Sequence, residues 1–178
     1  MRKYIVLTIL FVLPLVVYLF FASGINHFAK LPVLTNSVVD VSEFSNYTFK
    51  NKITVLGFFG NNIQDKHGDA LNLNQKIYKR FYQFKDFQFI MVQPNGTSEL
   101  ILDLKNDLKT GTDTDLINWK FITIEEDKLV GLFNSLKTNL SLDSNAGTPY
   151  VFIIDRDSNL RGRDDDDGVK YGYDSRSV

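Results

Sequence analysis

The residues best suited to chemistry lie in one loop of the sequence. In TVLGFFGNNIQDKHGDALNL, residues 54–73, an apolar strand-like run leads through a polar loop into a helical pattern. Loops held between a rigid strand and a helix often carry the reactive groups of α/β proteins. The loop contains one histidine, His67, and with Asp65 and Asp69 it forms the candidate group for weak metal binding or catalysis. A solvated loop histidine with neither role explains the sequence equally well.

The 178-residue chain contains no cysteine and only two histidines. Disulfide exchange, thiolate catalysis, iron–sulfur clusters and zinc–thiolate sites are therefore excluded. The P-loop, Gly-x-Ser-x-Gly and Gly-x-Gly-x-x-Gly motifs are absent as well. We predict no catalytic residue and no resident cofactor, and a binding role is favoured over an enzymatic one.

Length and charge narrow the classes of protein further. The chain has material for one domain plus a short extra segment. Its 20 basic and 21 acidic residues nearly cancel. Because there is no basic field to attract phosphates, nucleic acid is not an expected partner.

The N-terminal sequence predicts one membrane-spanning helix over residues 1–23. After Arg2 and Lys3, residues 4–22 carry no charge, and about 19 helical residues approach the thickness of a bilayer core. A cleaved signal peptide remains the alternative, with FASG as its only possible cleavage site, but the long apolar run favours an uncleaved signal anchor. The two positive charges should stay in the cytoplasm, which places the rest of the chain on the extracytoplasmic, periplasmic side.

A strand, a helix and a second strand are predicted in succession. KITVLGFF, residues 52–59, and FQFIMVQP, residues 87–94, are apolar runs typical of buried strands. Between them a helix is predicted from Asp69, and the crossover should join parallel strands. The apolar face of this helix would consist of Ala70, Leu73, Ile77, Phe81 and Phe84. The preceding residues, 24–50, are predicted to be a linker that becomes irregular or two-stranded.

The second half of the chain continues the alternation. A helix is predicted from Ser98 to about Lys109, followed by an exposed turn over residues 109–115 and a strand over residues 118–123. Thr123 and Glu126 match a capping box, which predicts a helix to about Lys137 with Leu129, Leu132, Phe133 and Leu136 on its inner face. A strand over residues 149–155 and the LRGR segment would close the domain as a hairpin, so the fold class is α/β with an antiparallel pair at the end.

The stretch AGTPYVFIIDRDSNLRGR, residues 146–163, resembles the closing half of thioredoxin-like proteins: Gly-Thr-Pro, an apolar strand, Asp, a tight turn and Leu-Arg-Gly. Within that superfamily FIIDRDSNLRGR is most similar to the SCO/SenC group. The resemblance implies a thioredoxin-like domain over residues 51–165, a central mixed sheet flanked by helices, and one N-terminal transmembrane helix before it. It also implies copper delivery to cytochrome c oxidase, a place in oxidase assembly, or thiol redox work.

The ligands of that family do not carry over to this chain. The family's C-x-x-x-C motif follows the first central strand, where this sequence has GNNIQD, residues 60–65. Its ligand histidine precedes the late strand, where this sequence has DSNAGT, residues 143–148. Copper is therefore implied by the resemblance alone, and neither its soft ligands nor a thiol for redox exchange is present.

The favoured hypothesis is therefore a non-catalytic binding or assembly factor at a membrane, with an unidentified protein partner. The predicted binding surface consists of Asn61, Asn62, Asp65, His67, Thr148 and Pro149. A proline at the start of such a strand is often cis, and the backbone before it can pair with an extended peptide. The alternative is a metallochaperone or enzyme of a respiratory-oxidase assembly or redox pathway that uses His67 with the nearby carboxylates.

The last segment, residues 166–178, is predicted to be a tail that stops before the final helix of thioredoxin-like proteins. An apolar sheet face left open there would be a docking surface or a stability liability. The run Asp164 to Asp167 is a candidate calcium loop, but without alternating ligands a solvated tail is favoured.

Overall fold

The computed structural model describes residues 2–22, 31–112 and 115–162. It separates into two compact units, Met1–Lys30 and Leu31–Val178. In the first unit a single helix, α1, spans Arg2–Ala22 with Pro14 inside it. Over the described residues no helix is both long and apolar enough to cross a membrane, so the structure does not support the membrane span predicted from the sequence.

The second unit is built on a mixed sheet. Its described strands are β1 (Val33–Thr35), β2 (Ile53–Phe59), β3 (Phe87–Pro94), β4 (Trp119–Ile124), β5 (Gly147–Ile154) and β6 (Leu160–Arg161). They lie in the order β1-β6-β5-β2-β3-β4. Strands β2, β3 and β4 are parallel, whereas β5 runs antiparallel to β2 and forms a hairpin with β6. The predicted α/β class, the central strands and the closing hairpin are confirmed.

Each face of the sheet carries its own apolar core, because side chains alternate between the two faces of a strand. On one face Leu56, Phe58 and Phe152 pack with helix α5, Glu126–Ser135. The predicted inner face of this helix is confirmed: Leu129, Leu132, Phe133 and Leu136 are all buried. The other face packs against the helices that precede and follow β3, and on helix α4, Ser98–Thr112, the stripe Ile101, Leu104 and Leu108 is buried as predicted.

The helix after the β2 loop differs from the prediction because it contains a π-helical turn. Helix α2 spans His67–Leu73, the π turn Asn74–Tyr78, and helix α3 Lys79–Phe81. A π turn changes the phase of the helix, so later side chains leave the face that a regular period of 3.6 assigns to them. Ala70 and Leu73 are buried as predicted, but the next inward positions are Asn74 and Tyr78, whereas Phe81 and Phe84 are exposed.

Asn74 and Tyr78 are held in the core by hydrogen bonds to the start of β4. The Trp119 indole N–H donates to Asn74 Oδ1 at 3.0 Å, and the backbone N–H of Asn118 donates to the Tyr78 hydroxyl at 3.1 Å. Burial raises the pKa of the Tyr78 phenol above its ordinary value. These bonds satisfy polar groups that would otherwise be costly to bury.

Two further boundaries differ from the sequence prediction. Helix α4 continues to Thr112, across part of the segment predicted as an exposed turn; residues 113 and 114 lie outside the described part. The predicted capping box does not form, because Thr123 belongs to β4 and Glu125 is the N-cap residue of α5, with no side-chain cap hydrogen bond. The tail, residues 166–178, and the acidic run Asp164 to Asp167 also lie outside the described residues.

The turn between β5 and β6 is organised by Asp155. Its carboxylate accepts hydrogen bonds from the backbone N–H groups of Asn159 at 2.8 Å and Asp157 at 3.0 Å, and from Arg161 Nε at 2.6 Å. Burial by itself would raise the pKa of Asp155, but these hydrogen bonds outweigh it and hold the pKa below its ordinary value. The ionised carboxylate therefore stabilises the fold.

We expect Asp155→Asn to lower the free energy of unfolding at pH 7, and the difference from the natural chain to shrink as the pH falls below about 4. The sign follows from the lowered pKa: its stabilising contribution is complete above the unfolded-state pKa and is lost as the pH falls through the folded-state pKa. Urea unfolding of both proteins between pH 7 and pH 3 measures it. A difference that stays constant over this range would contradict the assignment.

Candidate functional site

The loop after β2 lies directly against the segment that precedes β5. Gly60 has a positive φ of 69°, and a Cβ at this position would clash with the carbonyl oxygen of Asn145 and lie 2.7 Å from the nitrogen of Gly147. The N–H of Asn61 donates to the same Asn145 oxygen at 2.8 Å. Because only glycine accommodates both the backbone angle and the contact, Gly60 fixes the loop to this segment.

The segment before β5 is folded around Asp143. The carboxylate accepts hydrogen bonds from the N–H groups of Asn145 at 2.8 Å and Gly147 at 2.9 Å. The Asp143 N–H in turn donates to the Gly147 carbonyl oxygen at 2.8 Å. Sequence reasoning missed Asp143, although an Asp two residues before Asn-Ala-Gly is a signal for a side-chain-capped turn.

Asn61 and Asn62 are exposed at the surface of the loop. The Asn62 side-chain amide donates a hydrogen bond to the Asp65 carboxylate, and the fully buried Ile63 anchors the 3-10 turn Ile63–Lys66 that follows. The structure therefore places Asn62 in contact with Asp65, and Asn61 is exposed next to them. Their free hydrogen-bonding groups can recognise a polar ligand or a peptide backbone.

His67 points to α4 and not to the predicted carboxylates. Its Nδ1 lies 2.8 Å from a carboxylate oxygen of Asp107, and the side chain is 26% exposed. Asp69 lies 4.0 Å from the Lys66 ammonium, and Asp65 is bonded to Asn62. In the described part of the chain no group of three His, Asp or Glu side chains could hold a metal ion. The arrangement suits a contact between α2 and α4 better than a ligand set.

The Thr148-Pro149 pair is divided between the interior and the surface. Thr148 is buried, and its hydroxyl accepts a hydrogen bond from the N–H of Tyr150 at 3.3 Å, so its side chain does not belong to an exposed binding surface. Pro149 is exposed. The expectation of a cis proline is wrong, since the described residues contain no cis peptide bond.

One edge of β5 is open beside this loop. Strand β6 pairs only with Ile153 and Ile154, whereas β2 pairs with the opposite edge of β5 from Gly147 to Ile154, with a register shift near Gly147. Among the described residues no strand pairs with the outer edge over residues 147–152. An unpaired edge presents backbone N–H and C=O groups to which an extended peptide can add.

Comparison with solved structures fits this topology. BsSco, a member of the Sco family of cytochrome c oxidase assembly proteins, superimposes with a TM-score of 0.53 over 75% of this chain and 86% of its own, at 12% identity. The thioredoxin domain of a thiol-disulfide oxidoreductase from Bacteroides vulgatus gives a TM-score of 0.46 over 75% of this chain and 84% of its own, at 16% identity. The fold is thioredoxin-like.

At these identities the likeness establishes the thioredoxin-like fold and nothing finer. No protein-family model matches the sequence, and no curated protein matches it either. The Gly60–Asn62 turn follows β2, the central strand of the sheet, which is parallel to β3 and antiparallel to β5. The chain itself has no cysteine there or elsewhere.

Proposed function

We propose that this protein is a non-catalytic binding or assembly factor whose thioredoxin-like domain is held at a membrane on the extracytoplasmic side. The binding role rests on one observation: an exposed polar loop lies next to an unpaired strand edge. Asn61, Asn62 and Pro149 are exposed where the β2 loop meets the start of β5. Because the chain lacks cysteine, this surface binds and does not exchange electrons.

An extended segment of the partner would add to the outer edge of β5 over residues 148–152, because both backbone groups of Gly147 already bond to Asp143. Main-chain hydrogen bonds then supply affinity, and side-chain contacts supply specificity. The amides of Asn61 and Asn62 offer both donors and acceptors to such a segment. The close packing of Gly60 on Asn145 and the hydrogen bond from the Asn61 N–H to the Asn145 carbonyl oxygen hold the loop in place. Binding therefore costs little conformational entropy in the loop.

The likeness to BsSco supports a partner class, namely an intermediate in the assembly of a respiratory oxidase. The membrane location rests on the uncharged sequence of residues 4–22 after Arg2 and Lys3. The full-length chain should stay with membranes after an alkaline carbonate wash. A reporter enzyme that works only outside the cytoplasm should be active when it is fused after residue 178. Release of the chain by the wash would contradict the anchoring.

Site-specific photocrosslinking tests the binding role. We expect a photoreactive amino acid at Asn62 or Pro149 of the full chain to capture one shared partner in membranes of the source organism. The same group at Asn134, an exposed position on α5, is the matched control and should not capture it. Equal capture at all three positions would contradict the proposal.

Metal titration separates this proposal from a metallochaperone. We expect the full chain to show no sub-micromolar affinity for copper(I) or zinc, since His67 is engaged by Asp107 and the other carboxylates lie elsewhere. Tight binding that His67→Ala abolishes would overturn the binding-only function.

A further inference from the structure

An apolar groove lies at the end of the sheet opposite the Asn61 loop. Its volume is about 670 Å³. Ile53 is the first residue of β2 and Phe87 the first of β3, while Ile153 is near the end of the antiparallel β5, so these three residues mark the same end of the sheet. The lining also includes Val55, Ile77, Phe81, Phe84 and Val151.

The groove leaves an unusual amount of apolar side chain in contact with water. Phe84 is 63% exposed, and Ile53, Phe81 and Ile153 are exposed as well. Contiguous apolar surface of this kind marks a place where another segment or molecule packs. The phase change of the π turn accounts for the exposure of Phe81, and Phe84 follows the end of helix α3.

The rim of the groove is positively charged. Its lining includes Lys85, Arg156 and Arg161 but only one carboxylate, Asp86. Arg156 pairs with Asp86 at 2.6 Å, and Arg161 pairs with Asp155 at 2.6 Å. Lys85 forms no ion pair with any residue in the described ranges. The rim therefore favours an occupant that combines apolar side chains with carboxylates.

We propose that residues 163–178 of this chain occupy the groove. Gly162, the last residue before this segment, itself lines the groove. The sequence that follows supplies the required chemistry in order: four carboxylates at residues 164–167, then Val169, Tyr171 and Tyr173 at alternate positions. Alternate positions of an extended chain face the same side, so these three side chains can pack together on the apolar floor.

Reach and electrostatics both permit this docking. Tyr173 lies eleven positions after Gly162, and an extended chain spans about 3.3 Å per residue, so the segment can cross the groove. Four adjacent carboxylates repel one another in isolation and are stabilised beside the excess of basic residues in the lining, above all Lys85, since Arg156 and Arg161 already have carboxylate partners. Because such exposed charge pairs are screened by salt, the docking should weaken at high ionic strength.

The absence of natural cysteine makes a crosslinking test free of background. Phe84→Cys and Gly172→Cys are introduced together into the full chain, which keeps both tyrosines and the rest of the groove. A control chain carries Asn134→Cys with Gly172→Cys. We expect a thiol-specific bifunctional reagent to give an intramolecular product at least about ten-fold faster in the first chain, because docking raises the effective concentration of the two thiols. High salt should reduce this difference.

Two outcomes would overturn the proposal. Equal rates in the two chains would mean that the segment does not dock in the groove, and a product found only as a covalent dimer would assign the groove to a second copy. A second measurement leaves the groove intact: Tyr171→Ser with Tyr173→Ser should increase the fluorescence of a dye that binds apolar surface. Unchanged dye binding would also contradict the docking.

Discussion

Replacing Phe58 by alanine is expected to lower the free energy of unfolding by about 3–5 kcal/mol. Phe58 lies on the central strand β2 and is 0% exposed. Its ring meets the ring of Phe133 edge-to-face at 5.3 Å and that of Phe152 at 6.1 Å. Truncation therefore removes a buried aromatic side chain and leaves a cavity between β2, α5 and β5.

We expect a large loss of stability because the residues around Phe58 cannot move in to fill the cavity. The neighbours belong to a helix and a strand that are themselves fixed, Phe133 by α5 and Phe152 by the pairing of β5 with β2. In such surroundings the lost transfer free energy and the cavity both contribute. The two edge-to-face contacts are lost as well, and each is worth about 1 kcal/mol beyond the area it buries.

Urea unfolding followed by tryptophan fluorescence measures the change. The chain has one tryptophan, Trp119, stacked on Phe89 with ring centroids 4.6 Å apart, so its emission should report the loss of the core. Leu102→Ala is the control, because Leu102 on α4 is 60% exposed and its truncation should change stability by no more than about 0.5 kcal/mol. A Phe58→Ala effect as small as that of the control would refute the packing described for this core.

Strands β2 to β5 could be predicted because each is a short apolar run between turn residues, whereas the segment of β1 was predicted only as irregular or two-stranded. Helices α4 and α5 could be predicted because Ile101, Leu104 and Leu108, and likewise the inner face of α5, follow a regular helical period. The α2–α3 segment could not be predicted correctly. Its π turn adds one residue to a helical turn and so rotates the side chains that follow. A sequence pattern based on 3.6 residues per turn does not reveal this rotation. The exposed Phe81 at the end of α3 is the direct result.

The place of the loop after β2 could be predicted from the sequence, but the contacts of its residues could not. The loop lies between a strand and helical turns, and Asn61 and Asn62 are exposed there. The partner of His67, Asp107, could not be identified, because it lies on another helix and only the packing of α2 on α4 brings it near. Thr148 is buried because β5 begins at Gly147, before the proline that the sequence suggested as its start.

A substitution of Gly60 by alanine is the strongest test of how the candidate site is held together. At this residue the positive φ alone costs an alanine about 1–2 kcal/mol, and displacing the Asn145 and Gly147 backbone adds about 1–3 kcal/mol. We therefore expect a loss of about 2–5 kcal/mol in unfolding free energy, again measured by urea unfolding.

Gly96→Ala separates the two contributions to that loss. Gly96 also has a positive φ, 94°, but a Cβ there meets nothing within 4 Å, so only the conformational cost applies. Gly68→Ala, in helix α2 and with open space around it, should be neutral or slightly stabilising. If Gly60→Ala lowers the unfolding free energy no more than Gly96→Ala does, the packing of the β2 loop on the segment before β5 does not restrain the loop. If it costs more and also abolishes partner capture from Asn62, the fixed position of the loop is itself a requirement for binding.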